Sequence, residues 1–297
     1  MRYIDRKRER YLEAVSAYLG KRYGTAKVEP AKGGVRSLVF RCEVPGEGAI
    51  AFKGNKLFED MWLEARALKL LRGRGIRVPE LLWADWNPVT RLRYRFWPMA
   101  QRWVEGQLVK SGDAEIGRAL AELHSLESRW RGYPGLPRPG SFVSSLIRQS
   151  DEAAASLEQI GYGPARELSD WFRAHRPPHA GNYSLLHGRI NRDNMLRAPD
   201  GIYWLDVGKV QFGTFAYELV RALWRLGGEE GALLDGYFSR RPEKREEFEA
   251  SRLFYEAEFH LSLVNFCLRR LLRQKPGRFT TQRFERHLSL LTECLAR

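Results

Sequence analysis

The sequence is poor in cysteine, lacks long apolar runs and, over one long segment, has no carboxylates. Its three cysteines, Cys42, Cys267 and Cys294, are odd in number and lack the spacing of a metal site. They favour a reducing, cytoplasmic location over a disulfide framework. No apolar run is long enough to span a bilayer, and the amino-terminal residues lack the apolar core of a signal peptide. We therefore expect neither a disulfide-rich secreted domain nor a transmembrane protein.

The segment without carboxylates extends from Phe259 to Phe284, in a chain with a formal net charge of +14. The basic residues gathered there are Arg269, Arg270, Arg273, Lys275, Arg278 and Arg283. Cations at the end of an apolar helical stretch complement the helix dipole, which explains part of this cluster. The alternative is an anionic partner, such as a phosphorylated small molecule, a lipid surface or a nucleic acid, although no nucleic-acid motif is present.

Among the features that are present, a polar segment and an aspartate that follows apolar residues lie about two thirds of the way along the chain. The segment from Leu185 to Leu196 reads Leu-Leu-His-Gly-Arg-Ile-Asn-Arg-Asp-Asn-Met-Leu, and Asp206 follows the apolar residues Trp204 and Leu205. Burying a carboxylate at the end of an apolar strand is costly unless a cation or hydrogen-bond donors compensate it. The simpler alternative is that Asp206 caps the following turn.

Three further features lie in the first third of the chain. Lys53 ends an apolar stretch that is typical of a strand, and Glu64 lies in an amphipathic stretch that predicts a helix. Gly33 and Gly34 form a pair without side chains, where backbone N–H groups can approach phosphate oxygens. Taken singly, Lys53 and Glu64 could be solvated surface charges and the glycine pair an ordinary hairpin turn.

Taken together and in this order, these segments resemble the aminoglycoside phosphotransferase and choline kinase-like family. Further segments of the same resemblance are Val78 to Leu82, Trp103 to Gly106 and Leu120 to His124. The resemblance implies an α+β, bilobal, protein kinase-like fold. Residues 1–103 would form a small lobe with an antiparallel sheet, an amino-terminal helix and the hinge, and residues 104–297 a mostly helical large lobe.

The resemblance also implies roles for particular residues. Gly33 and Gly34 would cover the phosphates of ATP or GTP, and Glu64 would hold Lys53 so that its amine is directed at them. Asn194 and Asp206 would hold a magnesium ion between the protein and the nucleotide phosphates. The expected cofactors are therefore ATP, or GTP, and magnesium.

One position departs from the family pattern. In the family this loop has the form His-Gly-Asp, with an Asn five residues after the Asp. In this chain Arg189 stands at the position of that Asp, and Asn194 keeps the position of the Asn. A guanidinium cannot act as a general base at neutral pH, but it can clamp a phosphate or pair with Asp206. General acid–base help is typically worth about 10² to 10⁴ in rate, so its loss slows phosphoryl transfer without abolishing it.

Two hypotheses follow, and whether the chain is an enzyme stays open between them. In the first, the chain binds ATP and magnesium and phosphorylates an unknown acceptor, anionic or a small molecule, through an atypical site. In the second, it is a pseudokinase, a nucleotide-responsive module that binds a partner through its basic surface. Because of the positive charge, we expect a polycationic aminoglycoside to be a poor substrate.

The remaining polar residues of these segments are expected to support the structure. His124 is expected to make a local hydrogen bond and His187 to brace the loop. Asp193 precedes Asn194 and is expected to point away from the reaction centre. Glu218 replaces the Asp of the family in a structural role, and Lys209 adds positive charge near the expected phosphates.

Overall fold

The structure, a computed structural model, describes residues 3–31, 38–162, 165–178, 181–272 and 278–297. The helices are α1 (Tyr3–Tyr23), α2 (Phe58–Gly73), α3 (Pro88–Tyr94), α4 (Ala114–His124), α5 (Phe142–Glu158), α6 (Ala165–Ala174), α7 (Phe215–Leu226), α8 (Glu230–Phe238), α9 (Arg245–Leu272) and α10 (Arg278–Leu295). Short 3₁₀ turns are Arg192–Asn194, Val207–Lys209 and Pro242–Lys244. The strands are β1 (Lys27–Pro30), β2 (Leu38–Val44), β3 (Gly48–Asn55), β4 (Leu81–Ala84), β5 (Trp97–Arg102), β6 (Gln107–Leu108), β7 (Glu127–Ser128), β8 (Arg131–Tyr133), β9 (Leu136–Arg138), β10 (Tyr183–Leu186), β11 (Met195–Ala198), β12 (Gly201–Trp204) and β13 (Gln211–Gly213).

Contacts divide the chain into two compact units. The first unit comprises Met1–Ser111 and His187–Val210, and the second comprises Gly112–Leu186 and Gln211–Arg297. The segment with the predicted loop and Asp206 thus belongs to the first unit, together with Lys53 and Glu64. The predicted lobe boundary between residues 103 and 104 stays a prediction.

The first unit is built on an antiparallel sheet in the order β1-β2-β3-β5-β4. Apolar side chains of α1, Val15, Tyr18 and Leu19, pack with Phe40 and Phe52 in the core of this unit. The alternation along β3 buries Phe52 in that cluster, and Lys53 therefore points to the opposite face of the sheet. Lys53 pairs in register with Val39 on β2 and Met99 on β5, so the lysine lies on a central strand.

Helix α2 contains the predicted amphipathic stretch. Glu59 and Asp60 lie in its first turn and Arg72 in its last, which matches the polarity of the helix dipole. Its buried residues are Met61, Leu63, Glu64, Ala65, Ala67, Leu68 and Leu71. Glu64 is thus a carboxylate within an otherwise apolar buried face.

A smaller antiparallel sheet in the first unit has the order β12-β11-β6. Met195 pairs with Trp204 at the start of the β11–β12 hairpin, and Leu196 pairs with Leu108 of β6. Just before this hairpin register begins, the Leu205 N–H donates to the Asn194 carbonyl at 2.9 Å. The hairpin therefore places the residues before Met195 beside those after Trp204.

The second unit combines most of the helices with a sheet in the order β7-β10-β13-β8-β9. Helices α4 and α8 pack so closely that a Cβ at Gly236 would lie 2.1 Å from the Ala114 carbonyl oxygen, so only glycine fits there. The long helix α9 packs on α5, α7 and α10.

The richness in proline and glycine from Gly132 to Gly140 predicts a loop. The structure instead has an antiparallel hairpin of β8 and β9 over most of this stretch. The Arg131 guanidinium fixes its end by donating to the carbonyls of Pro139 and Gly140. This tertiary contact compensates for the weak strand tendency of the sequence. Helix α5 follows, with Ser141 as its N-cap.

Candidate active site

The centre of the candidate site is a buried ion pair between β3 and α2. Lys53 Nζ lies 2.6 Å from Glu64 Oε1, and the two residues are only 6% and 3% exposed. Gln101 Nε2 donates to the same carboxylate oxygen at 3.2 Å. Burial alone would lower the pKa of Lys53, but attraction to Glu64 and then to Asp206 outweighs it, so the pKa is raised. The lysine is thus held as a cation.

Asp206 lies beside this pair and contacts two cations. Its Oδ1 is 3.6 Å from Lys53 Nζ, and its Oδ2 accepts a hydrogen bond from Arg189 at 2.8 Å. Burial alone would raise the pKa of the Asp206 carboxyl, but Lys53 and Arg189 overcome this effect, so the pKa is lowered and Asp206 is ionised.

The backbone at Asp206 adopts the left-handed conformation, with φ 55° and ψ 46°. This conformation is uncommon for a residue other than glycine, and aspartate is one of the few that tolerate it. In this conformation the Asp206 carboxylate is directed at Lys53 and Arg189. We attribute the strained backbone to the need to place the carboxylate between these two cations.

Arg189 is fixed through its backbone rather than left as an ordinary surface arginine. Its carbonyl accepts hydrogen bonds from Asn194 Nδ2 at 2.8 Å and Asn191 Nδ2 at 3.2 Å. Its N–H donates to His187 Nδ1 at 3.3 Å, while His187 Nε2 donates to the Leu205 carbonyl at 2.9 Å. His187 therefore ties the loop to the residue that precedes Asp206, in agreement with its expected bracing role.

Gly188 lets the loop approach the turn after Asp206. Its φ is +78°, and a Cβ there would lie 2.1 Å from the Lys209 carbonyl oxygen. A side chain at this position would require both a strained backbone and a shift of the turn. The glycine thus helps to set the separation of Arg189 and Asp206.

Two other charged residues of the loop region, Lys209 and Asp193, contact partners other than Lys53 and Glu64. Lys209 Nζ makes an ion pair with Asp60 of α2 at 3.0 Å, so part of its added positive charge is neutralised. Asp193 is exposed, and its backbone N–H donates to Asn191 Oδ1. These positions agree with the expectation that Asp193 does not replace the missing base.

The second unit contains a separate buried polar network. His124 Nδ1 is 3.0 Å from the Tyr237 hydroxyl, and its Nε2 is 3.2 Å from Glu218 Oε2. These partners lie on α8 and α7, so the hydrogen bonds of His124 are tertiary and not local as expected. Both His124 and Glu218 serve the interior of this unit.

Two further buried pairs of the second unit were not predicted. Arg221 and Glu258 form an ion pair at 2.6 Å, and both side chains are less than a tenth exposed. His260 Nδ1 lies 3.0 Å from His287 Nδ1, between α9 and α10. No local sequence pattern marks either pair, since the partners are far apart in the chain.

The other predicted residues fall partly outside the described ranges. Gly33, Gly34, Arg273 and Lys275 lie outside the described residues. Of the basic cluster, Arg269 and Arg270 lie in the last turn of α9 and are exposed, as the helix-dipole interpretation expects.

The arrangement at Asp206 does not fit a magnesium ion. Magnesium requires oxygen ligands in octahedral geometry at about 2.0–2.1 Å, commonly one or two carboxylates completed by phosphate and water. Here Oδ2 of Asp206 accepts a hydrogen bond from Arg189, and the amide nitrogen of Asn194 donates one to the Arg189 carbonyl. Within the described ranges, no three or more His, Cys, Asp or Glu side chains are grouped to hold a metal. The predicted magnesium site at Asn194 and Asp206 is therefore not confirmed.

Comparison with known proteins identifies the family. The profile of the phosphotransferase enzyme family (APH) matches residues 27–254, and the chain belongs to this family. A search of curated proteins gives no match.

Solved structures establish the fold. The choline/ethanolamine kinase family protein of Mesorhizobium loti is 17% identical with a TM-score of 0.66, over 96% of this chain and 98% of that one. Choline kinase of Cryptosporidium parvum Iowa II is 11% identical with a TM-score of 0.61, over 96% of each chain. The GDP complex of aminoglycoside 2'-phosphotransferase-IIIa is 17% identical with a TM-score of 0.63, over 96% and 98%. At these identities the likeness establishes the fold alone, and the predicted α+β, protein kinase-like fold is confirmed.

Proposed function

We propose that the chain binds the phosphates of ATP or GTP at the Lys53 site and transfers the terminal phosphoryl group to a small hydroxyl-bearing acceptor. The observation that carries this proposal is the buried Lys53–Glu64 pair, with Asp206 beside it. A cationic lysine held inside the protein at a considerable desolvation cost suggests a specific anionic ligand. Membership of the phosphotransferase enzyme family and a neighbour solved with GDP support the same ligand class.

Because residue 189 is an arginine, no carboxylate at that position can act as general base in the transfer. In a loose transition state the acceptor hydroxyl keeps its proton until late, so a group of the acceptor itself can receive that proton. The expected consequence is turnover below that of a site with a base, by about 10² to 10⁴. The strongly basic composition favours an acceptor that carries a negative charge.

A phosphoryl-transfer assay tests this function. Purified protein is incubated with γ-labelled ATP and a panel of hydroxyl compounds that includes phosphorylated sugars and hydroxy acids, and labelled products are separated. Slow labelling of an acceptor by the wild type, and none by the Lys53→Met/Glu64→Gln variant, supports the proposal. No labelling by the wild type with any acceptor, over times that allow for the lost base, counts against catalysis.

The pseudokinase hypothesis is not favoured by the comparisons, but one contact keeps it testable. Arg189 pairs with the carboxylate that the resemblance assigned to the reaction centre. The Arg189→Asp variant separates the two functions in the same assay. If the variant phosphorylates acceptors on which the wild type never acts, Arg189 has switched off an intact scaffold, and the chain acts as a binding module.

A further inference from the structure

We infer that the Arg189 guanidinium takes the place of a divalent cation at Asp206, so that the chain binds nucleotide phosphates without magnesium. The inference rests on the proposed nucleotide binding and concerns the same site. It gives Arg189 a binding role and makes Asp206 the residue that positions it.

The charges of the site favour an arginine in the place of a metal ion. Lys53 and Arg189 are cations, Glu64 and Asp206 are anions, and these four buried or half-buried groups sum to zero. An aspartate at position 189 would make the sum minus two, and one divalent cation would then restore neutrality. Exchanging a carboxylate for a guanidinium therefore changes the local charge by the same amount as binding one divalent cation.

The geometry at Asp206 leaves little room for a metal ion. Arg189 Nη1 donates a hydrogen bond to Asp206 Oδ2, and Lys53 lies on the Oδ1 side. A divalent cation that binds Oδ2 has to displace Arg189 and break the charge-assisted hydrogen bond, and one that binds Oδ1 meets the positive charges of Lys53 and Arg189.

The guanidinium retains N–H donors for a ligand. Arginine has five N–H donors in a planar fork, and the bond to Asp206 uses Nη1. The Arg189 side chain is 33% exposed, so part of it is accessible to a ligand while the Asp206 bond stays in place. Planar forks of this kind bind phosphate oxygens bidentately. Lys53 and Arg189 together would thus hold phosphate oxygens from the two sides of Asp206.

The loop that carries Arg189 is preorganised by hydrogen bonds to its backbone. Asn191 and Asn194 hold the Arg189 carbonyl, and His187 connects its N–H to the carbonyl next to Asp206. The loop that carries Arg189 is thus fixed before a ligand arrives, which lowers the ordering cost of binding. A cation fixed in this way can do part of what a bound metal does in holding phosphates.

Isothermal titration of the full chain with ATP, in excess EDTA and in excess magnesium, tests the inference. We expect the wild type to show affinities that differ by less than about threefold between the two conditions, because magnesium and ATP binding are then almost uncoupled. The Arg189→Asp variant should bind ATP at least about tenfold more weakly in EDTA than in magnesium. The Arg189→Gln variant, which adds no charge, should lose affinity in EDTA and serves if Arg189→Asp does not fold.

The matched control is Arg192→Asp, which makes the same charge change at an exposed side chain of the same loop. It should leave the ratio of the two affinities as in the wild type. Wild-type binding that requires magnesium and is lost in Lys53→Met/Glu64→Gln would overturn the inference and leave the proposed function standing. A wild type that binds ATP in neither condition would overturn both.

Discussion

At the scale of single residues, Lys53 and Glu64 each compensate the buried charge of the other, so stability depends on each partner while the other is present. Removing one partner of a buried pair leaves an uncompensated charge and costs about 3–5 kcal/mol, whereas neutralising both costs much less. We therefore expect Lys53→Met to lower the free energy of unfolding by several kcal/mol and Lys53→Met/Glu64→Gln to regain most of it. Denaturant unfolding of the two variants measures this difference. Equal stability of the single and double variants would show that the pair is not desolvated.

A second prediction concerns the loop glycine. Gly188→Ala combines a positive φ with a Cβ at 2.1 Å from a backbone oxygen, so we expect a loss of more than about 1–3 kcal/mol and weaker ATP binding. Gly46→Ala is the matched control, because Gly46 has the same φ of +78° with nothing within 4 Å of the added Cβ. Its variant measures the cost of the conformation alone. If both variants lose the same stability, the loop does not press against Lys209.

At the scale of elements, the contact between α9 and α10 includes the His260–His287 pair. One Nδ1 must donate and the other accept, so protonation of both removes the hydrogen bond and places two cations 3.0 Å apart. Burial is the main cause that lowers the pKa of each histidine to about 4. The charges of His287 and Arg286 lower the pKa of His260 further. The charges of Arg283 and Arg286 do the same for His287.

This pair makes stability depend on pH. An unfolded histidine has a pKa of about 6.5, so between that value and about 4 the unfolded state binds more protons. Stability should be full above the unfolded pKa and fall as pH decreases through this range, by on the order of 1 kcal/mol per pH unit. Urea unfolding between pH 7 and pH 5 measures the slope, which His287→Gln should reduce and the exposed His175→Gln should not. An unchanged slope in His287→Gln contradicts the assignment.

The features that the sequence predicts correctly depend on patterns within short segments of the chain. The strand with Lys53, the helix with Glu64 and the position of Asp206 after its strand follow from apolar patterns and are found in the structure. Asp206 was one of the two partners predicted for the Arg189 guanidinium, and this contact is found in the structure. The Arg221–Glu258 pair and the β6–β11 pairing join segments distant in the chain, for which no local pattern exists.

At the scale of the whole molecule, the basic composition bears on the acceptor. With a formal net charge of +14, the chain repels polycations at a distance, although salt screens this effect. We expect no phosphorylation of kanamycin-like compounds at useful rates at low ionic strength, while an anionic acceptor is favoured under the same conditions. Competition between kanamycin and a phosphorylated sugar in the labelling assay measures this preference. Efficient transfer to kanamycin would contradict it. Within the described ranges, no helix is long and apolar enough to cross a membrane.

The measurement that tests the central claim most directly is thermal unfolding of the chain with increasing ATP, with the Lys53→Met/Glu64→Gln variant in parallel. A ligand that binds only the folded state stabilises it by about 2.7 kcal/mol at a concentration one hundred times its Kd. We predict a rise in Tm with ATP for the wild type and none for the variant. A wild-type Tm that does not change at millimolar ATP, or an equal rise in the variant, would contradict nucleotide binding at Lys53.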